Sequence, residues 1–567
     1  MWIITNIDID QHKDLKSIKC NNFAVYADKE IGYDEQFSTY LIFEGYVLGR
    51  MSYDSSLDDQ GLHRLVASDK EFIHKVKGNF SIVKFSIDNF EVYGDRFGIN
   101  KWFYYSDQGK FIISDSLDEI VKVIKPDVSQ ESMAAYALTY HFSAGLTLYE
   151  NVYHNKPAQK IIYEDGSLKI DSYWDPNSLL RMSKESFDIE DIVFTLSSHI
   201  DQLLKISPTD KISLSLTGGA DTRNLLALML SKDIKPHLYT YGNPESADCV
   251  KARTIAQGLD LDHSIHDIKM TVDLFKTYAA EIVKWGQSLT SIHRVHRIIA
   301  VEREKEFAER MFLGSLGGEF VKGVSEDDYI VPKIVYDNWG IDRLSDRSVS
   351  NYCQAKSLRT ENLDTRKISD ILNPELFQGN VIEKKFNALV NITAHLHDAQ
   401  DIVIYHSAMK SVFTPFLDID YLELLFSSRF TFNNKEVINN RLLRRVQNPV
   451  YCSSFIQEAY PRLGKFRYSG EHKPNEVILN PYIAALLKGI RQKLARNYPP
   501  NFPLTNWMRE FVIQELPKCY DYEKIRSTFK IELLIKELET REIEPKEAAW
   551  LKYTNPINMM YIINNIG

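Results

Sequence analysis

The residues whose types and spacing best suit chemistry occupy positions 216–222, where the chain reads LTGGADT. Adjacent glycines let backbone N–H groups approach an anion closely, and a helix beginning directly after them favours phosphate through its dipole. Thr217 and Thr222 add hydroxyl donors, and the Asp221 carboxylate can hold a divalent cation against phosphate oxygens. We therefore predict a phosphate and cation site, although a glycine pair alone is more often an ordinary strand–turn–helix connection.

Hydrophobic periodicity predicts the elements that position this loop. Ile212, Leu214 and Leu216 alternate with serines, as in a buried strand, and the leucine-rich stretch 225–230 gives the following helix an apolar face. The string contains neither the Gly-Lys-Ser/Thr of a Walker A loop nor the GxGxxG of a dinucleotide-binding turn.

Strands and helices alternate beyond this point. Further strands are predicted at 237–242, 263–268 and 310–315, with a helix between the first two. This order predicts an α/β region with a parallel, doubly wound sheet, followed by a helical C-terminal region. Ligands bind beyond the carboxyl ends of such strands, where the loop 216–222 would meet Tyr241, Gly242 and the loop 314–319.

The N-terminal part of the chain has a different pattern. Short β-branched and aromatic runs, separated by Asp, Gly and Asn turns, predict a layered α+β domain with a helix at 131–142. The turn-rich stretch 171–182 is the expected boundary, which divides the chain into domains 1–182 and 183–567.

Composition excludes several classes of protein. The chain has 567 residues and a formal net charge of −9, which argues against a nucleic-acid partner. No apolar run reaches the roughly 18 residues that span a bilayer, and the first residues lack signal-peptide features. We therefore expect a cytoplasmic protein with no membrane partner. The five scattered cysteines predict neither a disulfide framework nor a zinc site. His293 and His296 are expected to be surface or groove residues.

Several segments, in collinear order, together resemble asparagine synthetase-like ATP-dependent ligases. The resemblance implies an N-terminal glutaminase-like sandwich and a C-terminal ATP-pyrophosphatase-type synthetase domain. The segments are KGNFSIVKFSIDNFEVYGDRFGINKWFYY (77–105), TLYENVYHNKPAQKIIYEDGSLKIDSYWDP (147–176), TGGADTR (217–223), LGSLGGEFVKG (313–323) and TPFLDIDYLELL (414–425).

The resemblance also implies roles for individual residues. Asp221 and Glu319 would hold Mg²⁺. The segment YPRLGKFRYSGEHKP (460–474) is similar to a mobile family loop whose lysine stabilises the transition states, so Lys465 is the candidate catalytic residue, with Arg462 behind it. A basic surface loop is the alternative there. The implied ATP contacts are Leu216, Thr217, Gly218, Gly219, Asp221, Thr222, Tyr241, Gly242, Gly317 and Gly318.

Departures from the family pattern limit what can be carried over. Glutaminases of this family expose a cysteine after Met removal, whereas residue 2 here is Trp, so we expect no glutamine hydrolysis. Glu319 replaces the family's Asp, and Phe320 replaces the next acidic residue. Leu316 stands where β-lactam-forming members place a catalytic Tyr.

The expected function is ATP-dependent amide-bond formation through an acyl-adenylate, releasing AMP and pyrophosphate. Its substrates would be a carboxylate and an amine donor, each a small molecule or a peptide, and biosynthetic partner proteins are also expected. Intramolecular cyclisation of a peptide, as in lasso peptide cyclases, is one form of this reaction. Amidation of a small metabolite or sugar acid, and a catalytically decayed nucleotide-binding scaffold, remain alternatives.

Overall fold

Strands dominate the first third of the chain and helices the rest. The computed structural model describes residues 1–9, 15–51, 59–183, 187–206, 209–324, 332–434, 441–469, 471–494, 498–502, 504, 506–544 and 547–566. The strands are β1 (Trp2–Thr5), β2 (Lys16–Lys19), β3 (Ala24–Ala27), β4 (Gly32–Asp34), β5 (Thr39–Gly45), β6 (Leu48–Gly49), β7 (Val76–Lys77), β8 (Phe80–Phe85), β9 (Phe90–Gly94), β10 (Phe103–Asp107), β11 (Lys110–Ser114), β12 (Val152–His154), β13 (Gln159–Glu164), β14 (Ser167–Ser172), β15 (Ile212–Ser215), β16 (His237–Tyr241), β17 (His263–His266), β18 (Arg310–Phe312) and β19 (Ser411–Phe413).

The described helices follow the same chain order. They are α1 (Asp59–Ser68), α2 (Leu117–Ile124), α3 (Gln130–Thr139), α4 (Ile189–Ile206), α5 (Asp221–Ser231), α6 (Ala247–Leu259), α7 (Val272–Trp285), α8 (Val295–Glu304), α9 (Glu319–Lys322), α10 (Lys333–Tyr336), α11 (Asp346–Ala355), α12 (Thr365–Leu376), α13 (Val381–Ala388), α14 (Ala399–His406), α15 (Ile419–Ser427), α16 (Arg441–Ala459), α17 (Pro474–Leu479), α18 (Pro481–Leu494), α19 (Asn506–Glu515), α20 (Glu523–Thr528), α21 (Ile531–Thr540) and α22 (Glu547–Asn565). A π-helical segment, Leu389–Asp398, joins α13 to α14. Among the described residues, no helix is long and apolar enough to cross a membrane.

Two six-stranded antiparallel sheets form a layered sandwich at the N-terminus. Their orders are β12–β10–β11–β1–β3–β2 and β14–β13–β9–β8–β5–β4. Alternation along β1 sends Trp2 and Ile4 into the core between the sheets and Ile3 to the outer face, beneath α2 and α3. The expected helix at 131–142 is α3, which ends earlier, at Thr139. The α+β expectation is confirmed at this level.

A five-stranded parallel sheet lies in the second part of the chain, in the order β17–β16–β15–β18–β19. Leu214 of β15 aligns with Leu238 of β16 and Phe312 of β18, so the segments after these three strands emerge at one edge. The predicted strands at 263–268 and 310–315 are shorter than expected, ending at His266 and Phe312. The fifth strand, β19, was not anticipated from the sequence.

A buried ionic cluster joins the sandwich to residues 415–420, which begin with the string PFLD. Lys77 Nζ lies 2.8 Å from Asp418 Oδ2 and 2.9 Å from Asp420 Oδ2, and Arg50 Nε lies 2.8 Å from Asp420 Oδ1. Nearby, the Asn79 side chain donates to Thr414 Oγ1 at 2.9 Å. Burial makes such a cluster sensitive to the loss of one partner, so it favours a fixed arrangement of the two parts.

Candidate functional site

The loop between β15 and α5 is anchored to the neighbouring strand. The Leu216 N–H donates to the Tyr239 carbonyl at 2.8 Å, and the Leu216 carbonyl accepts from Thr240 Oγ1 at 2.6 Å. The helix α5 begins at Asp221, and its N-cap residue, Ala220, has no side-chain acceptor. The side chain of Ala220 therefore does not accept a hydrogen bond from the N–H groups in the first turn of α5. An anion site at a helix N-terminus requires such N–H groups to be free of a side-chain cap.

The two loop glycines already have partners within the protein. The Gly218 N–H donates to Asp248 Oδ1 at 3.1 Å, and the Gly219 N–H donates to Thr217 Oγ1 at 3.1 Å. Asp248 thus places a carboxylate where the sequence predicts a phosphate. A nucleotide phosphate that used the Gly218 N–H would have to displace this carboxylate.

Two carboxylates meet where the loops after β15 and β18 approach each other. A Cβ on Gly317 would lie 2.9 Å from Asp221 Cβ, and a Cβ on Gly318 would lie 2.9 Å from Asp221 Oδ1. Only glycine allows this approach, which brings Glu319 beside Asp221. Burial and, next, the Glu319 carboxylate raise the pKa of Asp221 to about 8.

One of the two carboxylate oxygens of Glu319 has no hydrogen-bond partner. Its Oε1 lies 3.1 Å from Lys322 Nζ, whereas its Oε2 is buried without a hydrogen-bond partner. Among the described residues, no group of three or more His, Cys, Asp or Glu side chains is placed to hold a metal. Two carboxylates suit Mg²⁺ when phosphate oxygens and waters complete its shell.

The end of β16 is covered by another segment of the chain. Gly242 adopts φ +112°, and the Asn243 N–H donates to the Asn501 carbonyl at 2.8 Å. The His296 ring stacks on Phe502, with centroids 4.6 Å apart, and lies 5.6 Å from the Tyr241 ring. Tyr241 and Gly242 therefore reach the predicted edge of the sheet, but beneath residues 501 and 502.

His293 is not the surface or groove residue that the sequence led us to expect. It is buried, and its Nε2 faces Thr554 Oγ1, so it is an interior residue and not a surface one.

Lys465 and Arg462 lie at the surface of a short 3₁₀ turn, Pro461–Lys465. Lys465 Nζ sits 5.2 Å from the centre of the Phe466 ring, and Arg462 donates to the Tyr460 hydroxyl at 3.3 Å. Neither forms a hydrogen bond or ion pair with residues 216–222 within the described chain. The structure therefore does not bring the two candidate catalytic cations onto the loop, and their catalytic role remains a prediction.

Arg223 is the residue that ties the 466–469 segment to the loop, and the sequence did not single it out. Its side chain is fully buried and donates to the carbonyls of Gly218 (3.2 Å), Phe466 (3.2 Å) and Arg467 (2.6 Å). The Ser469 N–H donates to the Gly218 carbonyl at 2.7 Å. The sequence feature that could have identified Arg223 is the presence of an arginine on the apolar face of a predicted helix.

A cavity of about 670 Å³ lies elsewhere, between the sandwich and the second part of the chain. Asn79, Asn100 and Asp115 line it from the sandwich, and Trp285 and His406 line it from the other side. It shares no lining residue with the 216–222 loop. Cavity size therefore does not point to the predicted phosphate and cation site.

Comparisons with known proteins do not show a family. No protein-family model matches the chain, and no curated protein matches it in sequence. Solved structures similar to it include the glutamine phosphoribosylpyrophosphate (PRPP) amidotransferase from B. subtilis complexed with ADP and GMP, at 9% identity and a TM-score of 0.19, covering 52% of this chain and 68% of that one. Another is a structure of the allosteric regulatory enzyme of purine biosynthesis, at 8% identity and a TM-score of 0.19, covering 52% of this chain and 67% of that one. At these TM-scores neither likeness carries weight, so function is inferred from the chain's own geometry.

Proposed function

We propose that this protein is an ATP-dependent carbon–nitrogen ligase that works through an acyl-adenylate. One observation carries the proposal: Asp221 and Glu319 are held together at the carboxyl edge of a parallel sheet, with Glu319 Oε2 buried and unpartnered. Burial, and then repulsion from the Glu319 carboxylate, raise the pKa of Asp221, because both disfavour its charged form while no cation is bound. Mg²⁺ bound to ATP would neutralise both carboxylates.

The proposed reaction has two steps. A substrate carboxylate oxygen attacks the α-phosphorus of ATP, and the bond from that phosphorus to the bridging oxygen breaks, releasing pyrophosphate. An amine nitrogen then attacks the acyl carbon, the bond to AMP breaks, and the nitrogen loses a proton. The protein residues orient the reactants and offset the growing negative charge. Arg462 and Lys465 are the proposed source of positive charge during both steps.

The amine comes from a substrate and not from glutamine in this proposal. The Trp2 side chain is buried and donates to Glu44 Oε2 at 3.2 Å, so an indole occupies the start of β1, where the resemblance would place a thiol. The acyl substrate is a small metabolite, a sugar acid or a peptide whose own amine closes a ring.

A second candidate is a nucleotide-binding scaffold without catalysis. It is favoured by the contact between the Gly218 N–H and Asp248, and by Ser469 Oγ, which lies where a Cβ on Gly218 would stand. Both contacts fill the space above the phosphate loop. In the ligase this closed arrangement must open when MgATP binds.

The test is incubation with MgATP, labelled in the α-phosphate, together with pooled carboxylic acids and hydroxylamine as a general nucleophile. A ligase gives AMP, pyrophosphate and a hydroxamate with at least one pool, and releases no glutamate from glutamine. Production of ADP and phosphate would contradict the proposal, as would glutamate release. Binding of ATP with no product from any pool would favour the scaffold.

A further inference from the structure

The end of α17 and the exposed side of α18 carry a group of apolar side chains, which we call the 478–490 face. These side chains are 43–86% exposed: Tyr482, Ile483, Leu486 and Ile490 lie on one side of α18, and Ile478 and Leu479 end α17 just before the extended residue Asn480. The opposite side of α18 packs on the protein through the buried Ala484. The members of the face are Ile478, Leu479, Tyr482, Ile483, Leu486 and Ile490.

Scattered apolar side chains on a surface need no explanation, but a contiguous patch marks an interaction site. The charges around it identify the partner's chemistry. Residues 460–494 hold seven lysines and arginines against two glutamates, within a chain whose net charge is −9. Both glutamates are already paired, Glu471 with Lys251 and Glu476 with Arg491. The region therefore presents apolar and positive groups to an incoming partner.

We propose that the 478–490 face binds an acidic amphipathic helical segment of a partner protein. Helix α18 has 14 residues, about four turns, which is long enough for a second amphipathic helix to pack along it as in a coiled-coil pair. A second copy of this chain fits less well, because α18 contains Lys488, Arg491 and Lys493 and no acidic residue. Two such helices would bring like charges together.

Charge distinguishes a partner helix from a lipid surface. Lys493 follows Ile490 by three residues and Leu486 by seven, so it lies in line with these apolar side chains. A chain of net charge −9 is repelled by an anionic lipid surface, whereas a carboxylate of a docked helix would pair with Lys493.

The bound partner would lie close to the candidate nucleotide site. Arg491 donates to the Glu471 carbonyl at 3.2 Å, and Ser469 of the same segment donates to the Gly218 carbonyl at 2.7 Å. The inference goes beyond the proposed ligase activity and does not depend on it.

The experiment is fluorescence anisotropy of the full chain with two labelled synthetic peptides. One is an amphipathic helix with leucines on one side and glutamates on the other, and its control has lysines in place of the glutamates. We expect the acidic peptide to bind at least about tenfold more tightly than the control. Leu486→Asp should abolish this binding, whereas Phe194→Asp, at a side chain 67% exposed on α4, should not change it.

Four results would overturn the inference. They are failure of the acidic peptide to bind, equal binding of both peptides, unchanged binding by Leu486→Asp, and loss of binding in Phe194→Asp. Two further measurements separate other occupants: sedimentation with phosphatidylserine vesicles lost in Leu486→Asp would assign the face to a bilayer, and a concentration-dependent dimer lost in the same variant would assign it to a second copy. Because Leu486 is 66% exposed, we expect the unfolding midpoint of Leu486→Asp to equal that of the unmodified chain.

Discussion

Asp221 and Glu319 lie close together because the neighbouring residues Gly317 and Gly318 have no Cβ. Gly317 and Gly318 pass so close to Asp221 that a methyl group on either would contact it. Asp221 is predicted from the sequence because a glycine pair, hydroxyls and an acid in one short string suit phosphate and a cation, whereas Glu319 is implied only by the family resemblance. The sequence could not predict Asp248 or Arg223, whose contacts with Gly218 depend on how α6 and α5 pack.

Replacing Gly318 with Ala tests this close approach. The new Cβ would meet Asp221 Oδ1 at 2.9 Å and Asn448 Oδ1 at 3.0 Å, so these side chains must shift from the positions that they hold beside Glu319. We expect MgATP affinity, measured by isothermal titration, to fall about tenfold or more. Gly340→Ala is the matched control, because a Cβ there meets nothing within 4 Å. Equal affinities in the two variants would contradict the assignment.

Lys465→Met tests the predicted catalytic cation. The Lys465 side chain is exposed, so its loss should leave folding and ATP affinity unchanged. Turnover in the hydroxamate assay should fall by about 10²–10³, because the cation would act on charge that develops only in the transition states. Turnover equal to that of the unmodified chain would reduce Lys465 to a surface residue.

At the scale of elements, long periodic segments were predicted well and short ones poorly. Strand β15 and helix α5 were predicted because their apolar residues recur with clear periods over several positions. Strands β1 and β19 are among those that the sequence did not predict. β1 has four consecutive buried residues and β19 only three residues, too few for a period to show. Residues 411–413 form a strand because they pair in parallel with β18.

Arg223 links α5 to the segment 466–469, and Arg223→Met tests that link. The substitution removes three hydrogen bonds from a fully buried guanidinium and takes this donor from the Phe466 and Arg467 carbonyls, whereas the Gly218 carbonyl keeps the Ser469 N–H. We expect the free energy of unfolding in urea to fall by about 3 kcal/mol. Arg343→Met, at a side chain 66% exposed, should cost less than about 1 kcal/mol. A loss in Arg223→Met no larger than that of the control would show that the link is unimportant.

At the scale of the whole molecule, the sequence predicted two regions of different architecture but not how they join. The joint is built from polar side chains far apart in sequence, such as Lys77 with Asp418 and His141 with Gln400. Such pairs leave no periodic signal, so only the folded structure reveals them. The expected domain boundary at 182 remains a prediction. One continuous hydrophobic core contains buried residues from both regions.

The joint should make stability depend on pH through His141. Burial, and then the charges of Arg294 and Lys101, lower the pKa of His141 from 6.5 to about 3. The unfolded chain therefore binds a proton between these values that the folded chain does not, so stability is fully present above pH 6.5 and falls as the pH drops toward 3. We expect His141→Gln to reduce this loss by up to about 1.4 kcal/mol per pH unit, measured by urea unfolding. His74→Gln, at an exposed histidine, should follow the unmodified chain, and a shared pH profile for all three proteins would contradict the prediction.

The measurement that tests the central claim most directly is thermal unfolding with ATP, with and without Mg²⁺, for the unmodified chain, Asp221→Ala and Glu319→Ala. ATP at about 100 times its dissociation constant should add roughly 2.7 kcal/mol to the stability of the unmodified chain in Mg²⁺. Both variants should lose the Mg²⁺-dependent part, while Asp171→Ala, at a side chain 70% exposed, should keep it. No Mg²⁺-dependent stabilisation of the unmodified chain, or the same stabilisation in all four proteins, would contradict a MgATP site at Asp221 and Glu319.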